Sequence, residues 1–259
     1  MPRENELKRK MQRGGVGVGY FAITTCPAFI EVAGRAGFDF CIVDMEHGIV
    51  DTLVAEELCR AAQGVGMTPI VRVRKNDGPQ MQRALDIGSG GVQVPQIETR
   101  ADAEAVVRGS KYGPAGARGL SFYTRAADYG VAGRDPSTLQ KLNEEQLVIV
   151  HVEGIRGIQN LDEIVSVADI DVVFLGPNDL SQSLGIAGQV NSVRVTRLME
   201  AASTKIRAAG KFVGTFADDV KSGRRWVDAG VQYVAVGVDV HMFFDAGRRV
   251  VDQMRRATP

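Results

Sequence analysis

The sequence predicts a closed (β/α)8 barrel built as one domain over residues 1–259, and three observations carry that prediction. Short runs rich in Val and Ile recur eight times, and each is followed by a segment of helical character. Strands of this buried type alternating with helices form a parallel sheet, and eight such units close a barrel. No Gly-x-Gly-x-x-Gly fingerprint opens a helix after the first strand, which counts against the competing open doubly wound sheet.

Residues 4–13 read as a short polar helix ending at Gly14-Gly15, and residues 16–22 as the first strand. An amphipathic helix over 27–36 is closed by Gly37, and the second strand, 38–45, delivers Glu46-His47-Gly48 at its end. Asp51-Thr52 caps a helix that runs to about residue 63, where Gly64-Val65-Gly66 stops it. Strand three covers 68–74, a helix 78–86 and strand four 91–96; Thr99 then caps a helix through residue 111. Residues 113–136 are Gly- and Arg-rich with no clear period, and a loop of that length is expected to be a functional lid or binding loop. A short helix at 138–144, strand five at 147–153, a helix at 160–167 and strand six at 171–175 follow. After an irregular piece at 177–191 come a helix (193–209), strand seven (212–216), a helix (218–228), strand eight (233–238) and a last helix (242–256).

Hydrophobic residues make up 44% of the chain, enough for a full core. Thirty-one basic and 31 acidic residues cancel, so the chain lacks the positive field that nucleic-acid binding needs. Cys26, Cys41 and Cys59 have no metal-type spacing, and Cys41 and Cys59 sit in apolar patterns that suit buried free thiols. The charged start, Met1 to Glu6, has no signal-type apolar run, and no stretch reaches the ~18 apolar residues of a membrane span. A cytoplasmic protein with neither membrane nor nucleic-acid partners is expected.

Active sites of barrels collect at the C-terminal ends of the strands. There the sequence places Asp44, Glu46 and His47, then Arg72 and Arg74, Gln93 and Gln96, Glu153 and Asp179, with Thr215 and Asp239 on the last two strands. Glu153 and Asp179 lie 26 residues apart, about one strand-plus-helix repeat, which brings them side by side. Two carboxylates make a hard oxygen site suited to Mg²⁺ or Mn²⁺; the alternative is that each caps a helix or pairs with an arginine such as Arg156. Asp44, three residues before His47, is placed to orient that imidazole as a general base, against a histidine bonded only to loop backbone. Arg72 stands between Val71 and Val73, where a charge needs a partner: either a substrate carboxylate or an internal salt bridge. His151 faces the same side as Glu153, two residues on. Lys75 and Lys211 are poorly placed as imine formers, so carbonyl chemistry here calls for a metal rather than a Schiff-base lysine.

Several segments together resemble the HpcH/HpaI aldolase family. They include Asp44-Met45-Glu46-His47-Gly48 within 38–48, Pro69-Ile70-Val71-Arg72-Val73, Val152-Glu153-Gly154, and Gly176-Pro177-Asn178-Asp179-Leu180-Ser181 within 171–181. Residues 91–95, 112–119 and 234–239 match as well, so the resemblance runs in order from about 15 to 245. It implies a class II, divalent-metal-dependent pyruvate aldolase (Mg²⁺, Mn²⁺ or Co²⁺; no nucleotide), with Glu153 and Asp179 on the metal. His47 would be the base, Asp44 the acid that orients it, and Arg72 the pyruvate-binding arginine. The backbone around Pro177, Asn178 and Asp179 would receive the substrate carboxylate, with His151 and Phe216 also lining the substrate, and Asp86 would reach in from an adjacent subunit. A homohexamer, a trimer of dimers with the last helix exchanged between neighbours, is implied.

The implied reaction is reversible cleavage of a 4-hydroxy-2-oxo acid, of the 2-keto-3-deoxy sugar acid or 4-hydroxy-2-oxoheptanedioate type, to pyruvate and an aldehyde. Two departures are local: the family usually carries Gln where this chain has His151, which could hydrogen-bond a metal water or the substrate or ligate the metal directly, and the loop at residues 120–125 is bulkier than the family's. Two alternatives stand beside the aldolase. One is an acyl-CoA lyase of the malyl-CoA or citryl-CoA type, for which residues 118–134 supply only Arg118, Arg125 and Arg134 as a basic surface. The other is a non-catalytic barrel that binds a 2-oxo acid.

Overall fold

Alternation within the strands decides what fills the barrel and what faces the helices. In the computed structural model, which describes residues 3–131 and 133–256, the strands are β1 (Gly17–Ala22), β2 (Phe40–Asp44), β3 (Thr68–Arg72), β4 (Gly91–Val94), β5 (Leu147–Val152), β6 (Val172–Leu175), β7 (Phe212–Ala217) and β8 (Tyr233–Val238). They pair in parallel in sequence order, and β8 closes on β1. Phe40, Ile42, Ile70, Ile149, Phe174 and Tyr233 form the buried barrel interior, while their neighbours Cys41, Val43, Val71, Val150 and Val173 pack outward under the helices. Gly19 makes room inside: a Cβ there would stand 2.4 Å from the ring of Phe40.

The helices are α1 (Glu6–Gln12), α2 (Pro27–Arg35), α3 (Thr52–Gly64), α4 (Gly78–Asp86), α5 (Arg100–Ser110), α6 (Pro136–Glu145), α7 (Ile155–Gln159), α8 (Leu161–Val165), α9 (Pro177–Ser183), α10 (Val193–Ala208), α11 (Val220–Asp228) and α12 (Asp239–Arg256). Leu7 and Met11 of α1 join the interior cluster and plug the N-terminal end of the barrel. Asp51 and Thr99 cap α3 and α5 as the sequence indicates, each accepting from a backbone N–H three residues on. Cys41 and Cys59 are buried free thiols.

Several expectations change. The helix expected at 160–167 is two short ones, α7 and α8, meeting at Asn160. The piece expected to be irregular from 177 opens with α9, because Pro177 suits a first helical position. The last helix starts at Asp239 rather than 242. The 113–136 segment contains a 3-10 turn at Arg125–Gly130 and does not cover its own chain's strand ends. Arg125 donates to Ile87 O and Gln63 Oε1, and Arg118 to Gln146 Oε1, all at the N-terminal end of the barrel. The reason is directional: α5 carries the chain back to that end before the segment begins. Residues 1, 2, 132 and 257–259 of the expected domain, including the start of the charged N-terminus, lie outside the described residues. Among the described residues no helix is long and apolar enough to cross a membrane.

Candidate active site

Strand pairing puts Asp44, the last residue of β2, directly beside Arg72, the last of β3. The guanidinium donates from Nε to Asp44 Oδ1 at 2.9 Å and from Nη2 to Oδ2 at 2.6 Å. Its Nη1 lies 3.0 Å from Glu46 Oε2, and its plane rests 4.7 Å from the centre of the Phe21 ring. Burial alone would lower the guanidinium's pKa; the Asp44 hydrogen bonds and the charges of Asp44, Glu46 and Glu153 outweigh it, and the net direction is upward. This is the internal salt bridge foreseen as one of two roles for Arg72, and it leaves the other open. A guanidinium has five N–H groups, and Asp44 takes two.

The expected Asp44–His47 hydrogen bond through the ring is not formed. Asp44 Oδ1 instead accepts the backbone N–H of Glu46 at 3.0 Å and of His47 at 3.4 Å. Both carboxylate oxygens are taken from across the sheet by Arg72, while the His47 side chain stands exposed beyond the strand end. Asp44 therefore shapes the turn that carries His47.

On β5, His151 and Glu153 point inward one above the other. Glu153 Oε1 accepts the backbone N–H of Gln96 at 2.8 Å. Gln96 holds φ at +57°, a left-handed conformation uncommon for a residue with a Cβ; here it accompanies an amide aimed at the carboxylate. Burial raises the Glu153 carboxyl against the Gln96 hydrogen bond, and nearby Asp179 and Glu46 push the same way, bringing it to about 7. His151 is 3% exposed, and its ring stands edge-on to Phe174 with centroids 4.5 Å apart. Burial holds its pKa well below the ordinary value, with the charges of Arg72 and His47 adding to the effect, so the ring is neutral. Its Nε2 lies 3.2 Å from Glu153 Oε2, yet neither ring nitrogen has a hydrogen-bond partner; contact exists without hydrogen-bond alignment. Gly176 permits this crowding: a Cβ there would stand 2.6 Å from His151 Nε2 and 2.7 Å from Glu153 Cβ.

These groups line one cavity of about 290 Å³ together with Pro177, Asn178, Asp179, Phe216, Phe174 and Val238. Pro177 has no N–H, so the backbone donors at the start of α9 are those of Asn178 and Asp179. Not every residue expected at the rim belongs here. Thr215 is buried and donates to Leu175 O. Asp239 clasps the end of β1, accepting from Ile23 N, Thr24 N and Thr24 Oγ1. Asp86 ends α4 at the opposite end of the barrel, where Arg118 Nη2 donates to it at 2.5 Å; it is outside its own chain's cavity. Another cavity, about 240 Å³, lies at that far end beneath α1, with no histidine in its lining. The residues not assigned from sequence are Phe21 and Phe174, the Gln96 amide, and Glu46, which was placed at the rim without a role.

The donor set fits a divalent cation. Among the described residues Glu153 accepts a hydrogen bond at Oε1 and not at Oε2, Asp179 is exposed at the cavity mouth, and both His151 ring nitrogens are unpartnered. Among the described residues no group of three or more His, Cys, Asp or Glu side chains stands arranged to hold a metal ion, so the fit rests on the carboxylate pair and the neighbouring imidazole. A cation competes with a proton for Glu153. Because that carboxyl is pushed up to about 7, divalent-cation affinity is expected to weaken about tenfold per pH unit below 7 and to level off above it. Isothermal titration from pH 5.5 to 8.5 checks this, and a flat profile contradicts it.

Residues 18–246 match the family described as HpcH/HpaI aldolase/citrate lyase. The chain is 32% identical over 255 residues to a hydroxypyruvate/pyruvate aldolase of Cupriavidus necator, covering 98% of this chain and 94% of that one. It is also 32% identical over 243 residues to a 2-keto-3-deoxy-L-rhamnonate aldolase of Escherichia coli, covering 93% and 90%. Among solved structures, an HpcH/HpaI aldolase/citrate lyase family protein of Burkholderia cenocepacia superposes with a TM-score of 0.91 at 31% identity, over 97% of this chain and 99% of that one.

Proposed function

The chain belongs to the HpcH/HpaI aldolase/citrate lyase family, and on that footing we propose that it is a divalent-metal-dependent pyruvate aldolase. Its substrate class is a 4-hydroxy-2-oxo acid of the 2-keto-3-deoxy type, cleaved reversibly to pyruvate and an aldehyde. The observation that carries the reading is the meeting, in one cavity, of a carboxylate pair, a buried arginine and a histidine. A divalent cation held by Glu153 and Asp179 would supply positive charge at the 2-oxo group, where negative charge gathers as the C3–C4 bond breaks.

The chain's own residues do the rest. Arg72, fixed by Asp44 and resting on Phe21, turns its remaining N–H groups to the same oxygen without reorganising during the reaction. The Asn178 and Asp179 amides receive the substrate carboxylate. His47, standing free at the rim, takes the proton of the 4-hydroxyl directly or through one water as the C3–C4 electrons move toward the 2-oxo carbon. Protonation at C3 then completes pyruvate. Phe174, Phe216 and Val238 keep the cavity apolar on its other walls.

The acyl-CoA reading loses two of its three arginines. Arg118 is buried against Asp86 and Gln146, and Arg125 is bound to Gln63 and Ile87, both away from the cavity. Assembly into a hexamer through α12 belongs to the proposal too; in the single chain that helix exposes Phe243 (67%), Phe244, Val250, Val251 and Met254 (70%). A cytoplasmic setting completes it. In the test, chelator-treated protein is assayed for pyruvate release from a panel of hydroxy-oxo acids. No turnover is expected until Mg²⁺, Mn²⁺ or Co²⁺ is restored; full activity without metal would overturn the reading.

A further inference from the structure

Outside the carboxylate pair, the most anomalous group in the cavity is His151. A buried side-chain polar atom almost always finds a hydrogen-bond partner, and leaving one without costs about 1–3 kcal/mol. Both nitrogens of this ring are buried and unpartnered. The ring is held by packing instead, edge-on to Phe174 on one side and against the Gly176 backbone on another. That packing aims Nε2 at the side of Glu153 that carries Oε2, the oxygen left over after Gln96 takes Oε1.

The separation of 3.2 Å between Nε2 and Oε2 has a chemical meaning. Two donors bound side by side to one cation, each at about 2.1 Å, stand about 3 Å apart. A carboxylate oxygen and an imidazole nitrogen at that distance, without hydrogen-bond alignment, have the geometry of a pair waiting to share an ion. We propose that His151 is a third protein ligand of the cation, binding through Nε2 beside Glu153 and Asp179. This proposal rests on the metal-dependent reading above and extends it. It changes a hard all-oxygen set into a mixed nitrogen–oxygen one. Mg²⁺ gains little from a nitrogen donor, whereas Co²⁺, Ni²⁺ and Zn²⁺ gain much. The site is therefore selective for the borderline cations. Nδ1 finds no outer partner to brace it, and Phe174 takes over that role.

The test reads the cation itself. The chain has three histidines, so the double variant H47N/H241N keeps His151 as its sole imidazole and leaves the buried position untouched. Pulsed EPR of bound Mn²⁺ is expected to show coupling to one imidazole nitrogen in both the wild type and this variant. In His151→Gln the coupling disappears, and calorimetry is expected to show Co²⁺ affinity falling about 10–100-fold while Mg²⁺ affinity changes less than about threefold. Bound Mn²⁺ without nitrogen coupling in the wild type, or coupling and Co²⁺ affinity that persist in His151→Gln, overturns the assignment and leaves the aldolase reading standing. A wild type that binds none of these cations overturns both.

Discussion

Exchanging Glu153 for Gln is expected to lower turnover about 10³-fold or more, because the charge proposed to hold the cation goes with it. Calorimetry with Mn²⁺ separates this from simple damage, since the variant is expected to lose cation binding along with activity. A second readout has the opposite sign. The folded, cation-free protein holds the Glu153 proton up to about pH 7, against an ordinary value of 4.5. Stability linked to that proton is full below about pH 4.5 and is lost as pH rises through 7. The gap corresponds to about 3 kcal/mol. Without cation at pH 8, Glu153→Gln is thus expected to melt at least about 5 °C above the wild type, and near pH 5 the difference should shrink. Saturating cation should reverse the order, because only the wild type binds it. A variant that keeps cation binding and activity would remove Glu153 from its role.

That crossing has a structural origin which the sequence shows only in part. The eight-strand barrel was legible because Val fills the outward positions of most strands while Ile and aromatic residues fill the inward ones, and because the inward set of β5 leads on to His151 and Glu153. What raises the Glu153 carboxyl was not legible. It is burial, which outweighs the opposing hydrogen bond from Gln96, a residue on another strand's exit whose left-handed backbone turns an amide toward the carboxylate. That burial depends on Gly176, whose missing Cβ lets the start of α9 press against both side chains. Neither has a local pattern that announces it. The Asp44–Arg72 pair had a usable signal: the two residues lie 28 apart, one repeat, which is the same reasoning that joins Glu153 to Asp179. The histidine three residues from Asp44 in sequence was the nearer attraction, but it stands beyond the strand end and its ring is not Asp44's partner. The end of the barrel on which the 113–136 segment lies was hidden for a related reason. Length alone marks a loop as functional, and only the direction of α5 tells which end of the barrel it lies on.

Replacing Arg72 by Lys is expected to be nearly as damaging as losing Glu153, by a different route. Lysine keeps the charge but not the planar fork that meets both Asp44 oxygens while keeping N–H groups for the substrate. In the variant Asp44, 1% exposed, is left with an imperfect partner, and the ammonium cannot rest flat on Phe21 as the guanidinium does. Breaking a buried pair outright costs about 3–5 kcal/mol; a lysine that reaches Asp44 from the same backbone retains part of that, so the protein is expected to fold with a lowered melting temperature. Catalysis does not recover in proportion. The lysine ammonium, drawn to Asp44 and Glu46, leaves the 2-oxo oxygen short of a donor, and kcat is expected to fall about 10²–10³-fold. Cation affinity discriminates the two routes: Arg72→Lys should bind Mn²⁺ within a few-fold of the wild type, where Glu153→Gln does not. Activity near that of the wild type in Arg72→Lys would mean that Arg72 serves the barrel only through Asp44 and that the charge formed in the reaction is met elsewhere.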